Sequence, residues 1–199
     1  MLEQTLRHYY QRALVDPLIP YIANHLTPLS VTWLSGLFGM LFIPFLLFNK
    51  SLIAIGCLLI TGYLDTLDGS LARYQNTISD FGSVMDIVMD RIVEFVVIFA
   101  FYLYNPARAL SVILMLGSIL ICITSFLVVG IFTANNSHKS FYYSPGLMER
   151  AEAFIFFIAM TVFPAYFNAL ALIFCFLVSL TALIRLIEFK KGANQATGL

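Results

Sequence analysis

Six acidic side chains fall within thirty residues near the middle of the sequence: Asp65, Asp68, Asp80, Asp86, Asp90 and Glu94. Two arginines in the same stretch leave it with a net charge of −4. Asp65 and Asp68 are three residues apart, and Asp86 and Asp90 are four apart, so each pair lies on one face of a helix. Brought together, the two pairs would offer oxygen ligands and enough charge for two divalent cations.

The absence of histidine and cysteine between these acids indicates which metal they would hold. Ligand sets made only of oxygen favour magnesium or manganese over zinc. Two such cations beside a basic residue suit a pyrophosphate substrate, because they neutralise its phosphates and polarise the bond that breaks. The residue types therefore predict metal-assisted chemistry on a phosphate ester.

The four carboxylates can meet only if the chain turns back between the two pairs. Asp68 and Asp86 are eighteen residues apart, which is about 27 Å along one continuous helix. The polar residues 74–77 interrupt the apolar pattern, and Thr77 with Asp80 predicts the capped start of the next helix. Small residues on the same faces leave room for a flat ligand: Gly69, Ala72 and Gly82. We therefore predict a helical hairpin that carries the site.

Composition places this hairpin in a membrane. The 199 residues are 60% hydrophobic and 11% charged, whereas a soluble domain carries about 25% charge. Because a span takes about 20 apolar residues, the chain has room for roughly six spans and no separate soluble domain. The net charge of zero gives no overall basic field for nucleic acid. The three cysteines lie in apolar runs without paired spacing and are interpreted as free thiols.

The apolar runs predict an all-α integral membrane protein with six transmembrane helices and an N-terminal interfacial amphipathic helix. Four spans are predicted at 29–49, 109–137, 148–163 and 167–186, the last two separated at Pro164, and two more meet at their polar ends around 74–79. The whole chain, 1–199, is one membrane domain. It comprises an interfacial helix and entry segment (1–28), a six-helix core (29–189) and a tail (190–199).

The basic residues predict the orientation of this domain. With six spans, nine of the eleven lysines and arginines share one side with both termini, and Lys50 and Arg108 lie opposite. The preference of basic residues for the cytoplasmic side then places the termini and the acidic cluster in the cytoplasm. We expect a multi-pass protein of the inner, cytoplasmic membrane.

The spacing of the acids carries a family resemblance. Residues 65–90 match D-x-x-D-G-x-x-A-R-x8-G-x3-D-x3-D at all eight specified positions, and this resembles the signature of the CDP-alcohol phosphatidyltransferases. The flanks are similar too: residues 25–32 resemble the segment that opens the family's first span. Residues 146–150 resemble a segment of the branch that makes phosphatidylinositol phosphate or phosphatidylglycerol phosphate.

The resemblance implies transfer of a phosphatidyl group from CDP-diacylglycerol to an alcohol hydroxyl, with release of CMP, by a homodimer in phospholipid biosynthesis. It assigns two cations, Mg²⁺ or Mn²⁺, to Asp65, Asp68, Asp86 and Asp90. Asp86 and Asp90 would be catalytic, with Asp90 as the general base. The CDP moiety would be bound by Asp68, Gly69, Ala72, Arg73 and Gly82.

The acceptor alcohol is left open by the sequence. Family members that use inositol phosphate place basic residues late in the fourth span, but residues 125–136 contain none. Glycerol 3-phosphate or inositol phosphate is slightly favoured, with acceptor contacts predicted from Asn135, Lys139, Arg150 and Arg185. An uncharged acceptor such as serine or inositol, or a CDP-linked polar alcohol as donor, is the alternative.

Other interpretations remain for the charged residues. The acids could form the cation site of a transporter, although transporters often show paired halves and these acids occupy one half of the chain. A non-catalytic lipid-binding relative is a third possibility. Glu94 is expected to pair with Arg91 rather than face the acceptor, and Arg185 to anchor the last span at the membrane surface.

Overall fold

The structure is a computed structural model, and it describes residues 11–133 and 146–197. These ranges are helical, with no strand among them. Their α-helices are α1 (Ile19–Ile22), α2 (Pro28–Met40), α3 (Phe42–Leu47), α4 (Ser51–Tyr74), α5 (Asp80–Tyr104), α6 (Ala109–Phe132), α7 (Arg150–Val162) and α8 (Phe167–Thr197). A π-helical segment (Gln11–Val15) and two 3₁₀ turns (Pro106–Arg108 and Pro164–Tyr166) complete the described elements.

The described residues fall into two compact units, one ending at Arg108 and one beginning at Ala109. In the first unit, α2 and α3 pack against both α4 and α5. The rings of Phe42 and Phe101, both buried, meet edge to face with their centroids 5.8 Å apart. This packing fixes α4 and α5, the two helices that carry the acidic residues.

The start and end of α2 follow from local chemistry. Thr27 caps the helix, since its side chain accepts from the backbone N–H of Ser30 while the Ser30 hydroxyl accepts from the backbone N–H of Thr27. Pro28 follows at the first helical position, where its missing N–H is not needed. At the other end, the ring of Pro44 conflicts with the carbonyl four residues earlier, so α2 ends at Met40.

The predicted turn between the two acidic helices is confirmed, but its cap was assigned wrongly. Tyr74 ends α4, and Asn76 takes the left-handed conformation with φ of 55°. Ser79, not Thr77, caps α5, because its side chain accepts from the backbone N–H of Gly82 at 3.1 Å. Asp80 is therefore the first residue of α5, where a negative charge is favourable.

In the second unit, α8 packs against both α6 and α7. The predicted break at Pro164 is confirmed: α7 ends at Val162 and α8 begins at Phe167. Near this end of the unit, the Ser111 hydroxyl donates to the Asn168 side chain at 2.9 Å. Such interhelical hydrogen bonds satisfy polar groups that lipid cannot.

Four helical stretches are long and apolar enough to cross a membrane: Pro28–Leu47, Ser51–Tyr74, Pro106–Phe132 and Pro164–Gly192. The chain is accordingly a multi-pass membrane protein. Helix α5 carries Asp90, Arg91 and Glu94, and α7 has 13 residues where about 20 are needed, so the third and fifth spans along the chain stay predictions. Most of the predicted interfacial helix lies outside the described residues. All three cysteines are free thiols, as expected.

Candidate active site

The hairpin of α4 and α5 brings three of the four predicted carboxylates together. One oxygen from each of Asp65, Asp68 and Asp86 lies within 4.8 Å of the other two. Asp68 is buried, at 5% exposed, whereas Asp65 and Asp86 are half-buried. The turn at residues 75–79 therefore reverses the chain, as the spacing required, and brings acids from two helices together.

This arrangement fits a hard divalent cation. Magnesium binds oxygen at about 2.0 to 2.1 Å, so two ligand oxygens on opposite sides of one ion are roughly 4.2 Å apart. The three carboxylate oxygens lie within 4.8 Å of one another, so small side-chain rotations would bring all three to binding distance of one ion. Three acids this close repel one another strongly unless positive charge lies among them.

Asp90, the predicted general base, follows Asp86 by one turn of α5 and is half-buried. It is not one of the three acids that share the 4.8 Å cluster. Nη2 of Arg91 lies 3.8 Å from Oδ2 of Asp90, and Nη1 of the same guanidinium lies 2.9 Å from Oε2 of Glu94. The expected pairing of Glu94 with Arg91 is confirmed, and it places a fixed positive charge beside Asp90.

A hydroxyl from a neighbouring helix contacts the buried acid of the cluster. The Thr32 hydroxyl, on α2, lies 2.6 Å from Oδ2 of Asp68, on α4. Thr32 is itself buried, at 6% exposed. A hydrogen bond this short is typical of a hydroxyl that donates to a charged carboxylate.

Arg73, predicted to bind the CDP phosphates, lies near the end of α4 with its side chain exposed. Its Nη2 donates to the Ser70 hydroxyl at 2.9 Å, and that hydroxyl also accepts from the Gln11 side chain at 3.1 Å. A Cβ placed on Gly69 would lie 3.5 Å from Nη1 of Arg73, so this glycine leaves space beside the guanidinium. Two further predicted CDP contacts, Ala72 and Gly82, are half-buried on α4 and α5.

Two of the four predicted acceptor residues, Arg150 and Arg185, are described, and both belong to the second unit. Arg150 begins α7, with its guanidinium 5.2 Å from the centre of the Phe154 ring. The other two, Asn135 and Lys139, lie outside the described residues.

The side chain of Arg185 lies inside the second unit. It is buried, and its Nη1 donates to the Cys122 carbonyl at 3.1 Å and to the Ser125 hydroxyl at 3.2 Å. Its Nη2 lies 3.5 Å from where a Cβ of Gly146 would stand.

Comparison with known proteins decides the family. The family model of the CDP-alcohol phosphatidyltransferases matches residues 22–186 of this chain. The chain belongs to the CDP-alcohol phosphatidyltransferase family. The resemblance on residues 65–90 is thereby confirmed, and so is the enzyme class.

One sequence relative and one solved structure cover most of this phosphatidyltransferase, and a further relative covers part of it. The inner membrane protein YnjF of Escherichia coli is 34% identical over 192 residues, which cover 90% of this chain and 92% of that protein. A bifunctional IPC transferase and DIPP synthase of Aquifex aeolicus is 40% identical over 76 residues, 38% of this chain and 18% of that protein. The crystal structure of phosphatidylinositol phosphate synthase from Mycobacterium tuberculosis with CDP-DAG bound shares the fold, with a TM-score of 0.72, 18% identity and coverage of 87% of this chain and 92% of that one.

Two side chains that touch the phosphatidyltransferase motif were not assigned from the sequence. Thr32 stood in the family-like segment 25–32 without a role, and Ser70 is one of the unspecified positions of the motif. A sequence signal existed for Ser70, which precedes Arg73 by three residues on one helix face. No spacing along the chain relates Thr32 to Asp68, 36 residues later.

Proposed function

We propose that this protein transfers the phosphatidyl group of CDP-diacylglycerol to the hydroxyl of a small alcohol and releases CMP, as a step of phospholipid biosynthesis. One observation carries the proposal, namely the convergence of Asp65, Asp68 and Asp86 in a member of this family. The M. tuberculosis neighbour, whose structure has CDP-DAG bound, adds support because its fold is the same.

The acidic residues bind and position the reacting groups. Asp65, Asp68, Asp86 and Asp90 would hold two divalent cations, Mg²⁺ or Mn²⁺, and these would supply positive charge to neutralise the pyrophosphate and polarise the bond that breaks. Arg73 pairs with phosphate, and Gly69, Ala72 and Gly82 allow the nucleotide to approach the two helices closely. Ser70 orients the guanidinium of Arg73, to which it is hydrogen-bonded at 2.9 Å.

Asp90 acts as the general base. It removes the proton of the acceptor hydroxyl as that oxygen forms a bond to the phosphorus of the phosphatidyl group. The bond between this phosphorus and the bridging oxygen of the pyrophosphate breaks, and CMP leaves with the bonding electrons.

The acceptor we favour is a phosphorylated alcohol, glycerol 3-phosphate or inositol phosphate. Arg150 and Arg185 are the described side chains that would bind its phosphate, together with Lys139 and Asn135. A guanidinium binds phosphate in two-pronged geometry, and Arg185 is held in place by Cys122 and Ser125. We place the protein in the inner membrane, as a homodimer with its termini and site on the cytoplasmic side; the name of the E. coli relative supports this location.

The test is CMP release by the purified protein with CDP-diacylglycerol and Mg²⁺ or Mn²⁺. The acceptor panel comprises glycerol 3-phosphate, inositol phosphate, inositol, serine and no acceptor. Acceptor-dependent CMP release identifies the alcohol, and release with serine or inositol but neither phosphate overturns the phosphorylated acceptor. If no acceptor and no CDP-linked alcohol gives CMP, while proteoliposomes show cation flux that is lost in Asp65→Asn, the protein is a transporter and the proposal fails.

A further inference from the structure

A buried hydroxyl outside the family signature touches the innermost acid of the cluster. Thr32 and Asp68 come from different helices, α2 and α4, and are 6% and 5% exposed. Of the three clustered acids, Asp68 is the buried one, so water is least able to hydrate its carboxylate. The orientation of this side chain therefore depends on protein groups, and Thr32 is one of them.

The hydroxyl of Thr32 has a choice of two acceptors. Its oxygen lies 3.1 Å from the Pro28 carbonyl and 2.6 Å from Oδ2 of Asp68. A carbonyl four residues back already accepts a backbone N–H in an α-helix, whereas the buried carboxylate gains a charge-assisted bond. Because a hydroxyl carries a single proton, the shorter contact to the carboxylate takes it.

We propose that Thr32 is a positioning residue, which holds the Asp68 carboxylate in the orientation that binds a divalent cation. The inference rests on the proposed metal site. A carboxylate has about four lone-pair positions, so one hydrogen bond at Oδ2 leaves others for the cation and limits rotation of the group. Partners of this kind typically contribute 10-fold to 100-fold to metal affinity.

Thr61 provides a matched control in the same pair of helices. Its side chain is fully buried, and its hydroxyl contacts the carbonyls of Cys57, at 2.9 Å, and Ser35, at 3.3 Å. Thr61→Val thus removes a buried hydroxyl between α2 and α4 that touches no carboxylate in the structure. If Thr61→Val and Thr32→Val both weaken metal binding, the cause is altered packing. If only Thr32→Val weakens it, the cause is the lost hydrogen bond to Asp68.

The experiment measures Mn²⁺ binding to the detergent-solubilised full chain by the electron paramagnetic resonance signal of free Mn²⁺, without substrate. We expect the Kd for Mn²⁺ to rise about tenfold or more in Thr32→Val, to recover in Thr32→Ser, and to stay within twofold in Thr61→Val. If Thr32→Val yields no folded protein, Thr32→Ala takes its place, because it removes the hydroxyl without setting a new methyl group against the carboxylate.

The results distinguish the positioning role of Thr32 from the existence of the metal site. An unchanged Kd in Thr32→Val, or an equal rise in Thr61→Val, overturns the role of Thr32 while the metal site stands. Wild-type protein that binds no Mn²⁺, or binds it as Asp68→Asn does, overturns the metal site of the proposed function and the inference with it.

Discussion

The guanidinium of Arg91 lies 2.9 Å from the carboxylate of Glu94, one turn further along α5, and this pair adjoins the predicted base. Glu94 is buried and Arg91 is about one-third exposed, so water screens the interaction only in part. The pair cancels one negative charge of the acidic stretch. The other terminal nitrogen of the guanidinium, Nη2, lies 3.8 Å from Asp90. We therefore expect Glu94 to support the site through Arg91 rather than to bind metal.

Removing the charge of Glu94 should destabilise the protein. Glu94→Gln leaves Arg91 without its buried partner, and we expect a loss of about 1 to 3 kcal/mol, seen as a lower temperature of thermal aggregation in detergent. Glu188→Gln, which changes an exposed glutamate on α8, is the control and should behave as the wild type. Equal temperatures for wild type and Glu94→Gln would show that the pair contributes nothing measurable.

Asp90→Asn should abolish transfer and largely spare the binding of CDP-diacylglycerol. The amide keeps the shape of the side chain but cannot take the proton from the acceptor, so we expect CMP release to fall at least about 100-fold. Asp80→Asn is the matched control, because Asp80 is an exposed acid of the same helix with no assigned catalytic role. A fully active Asp90→Asn enzyme would refute the assignment of the base.

Arg73→Ala should weaken binding of the CDP-lipid more than binding of the metal. Loss of a charge-assisted bond to phosphate corresponds to about a 10-fold to 100-fold higher KM for CDP-diacylglycerol, with the Kd for Mn²⁺ nearly unchanged. Ser70→Ala should give a smaller change in the same direction, since it frees the guanidinium without removing it. Lys50→Ala, an exposed basic residue at the start of α4, serves as control. An unchanged KM in Arg73→Ala would make Arg73 structural.

Gly39→Ala should destabilise the packing of α2 against α5. A Cβ at this glycine would lie 2.6 Å from Cγ2 of Val93, which is fully buried and too stiff at χ1 to move aside. We expect a cost of about 1 to 3 kcal/mol, measured by thermal unfolding.

A control and a rescue test the steric origin of this cost. Nothing lies within 4 Å of a Cβ at Gly56, on α4, so Gly56→Ala should be neutral or slightly stabilising. Combining Gly39→Ala with Val93→Ala should cost less than the two single changes added together, because the smaller side chain makes room. Strict additivity would exclude the proposed clash.

Much of the site was predictable because it depends on distances along one helix. Asp65 and Asp68 share a face of α4 whatever surrounds them, and Arg91 and Glu94 share a face of α5 for the same reason. The break at Pro164 was equally local, since a proline lacks the N–H that a helix interior needs. The turn between α4 and α5 was predictable from its polar residues. The capping residue was not, because Thr77 and Ser79 lie two residues apart and either hydroxyl can cap a helix; the cap is Ser79.

The sequence by itself determined the family, the membrane character and the residues that could bind metal, because each is written in spacing or composition. Only the tertiary structure decided which groups meet across helices. It set the Thr32 hydroxyl against Asp68, placed Val93 over Gly39 and buried Arg185 beside Ser125. These contacts depend on how the packed helices are rotated and how far apart they lie. That geometry is set by all the side chains between the helices, so no single spacing along the sequence predicts it.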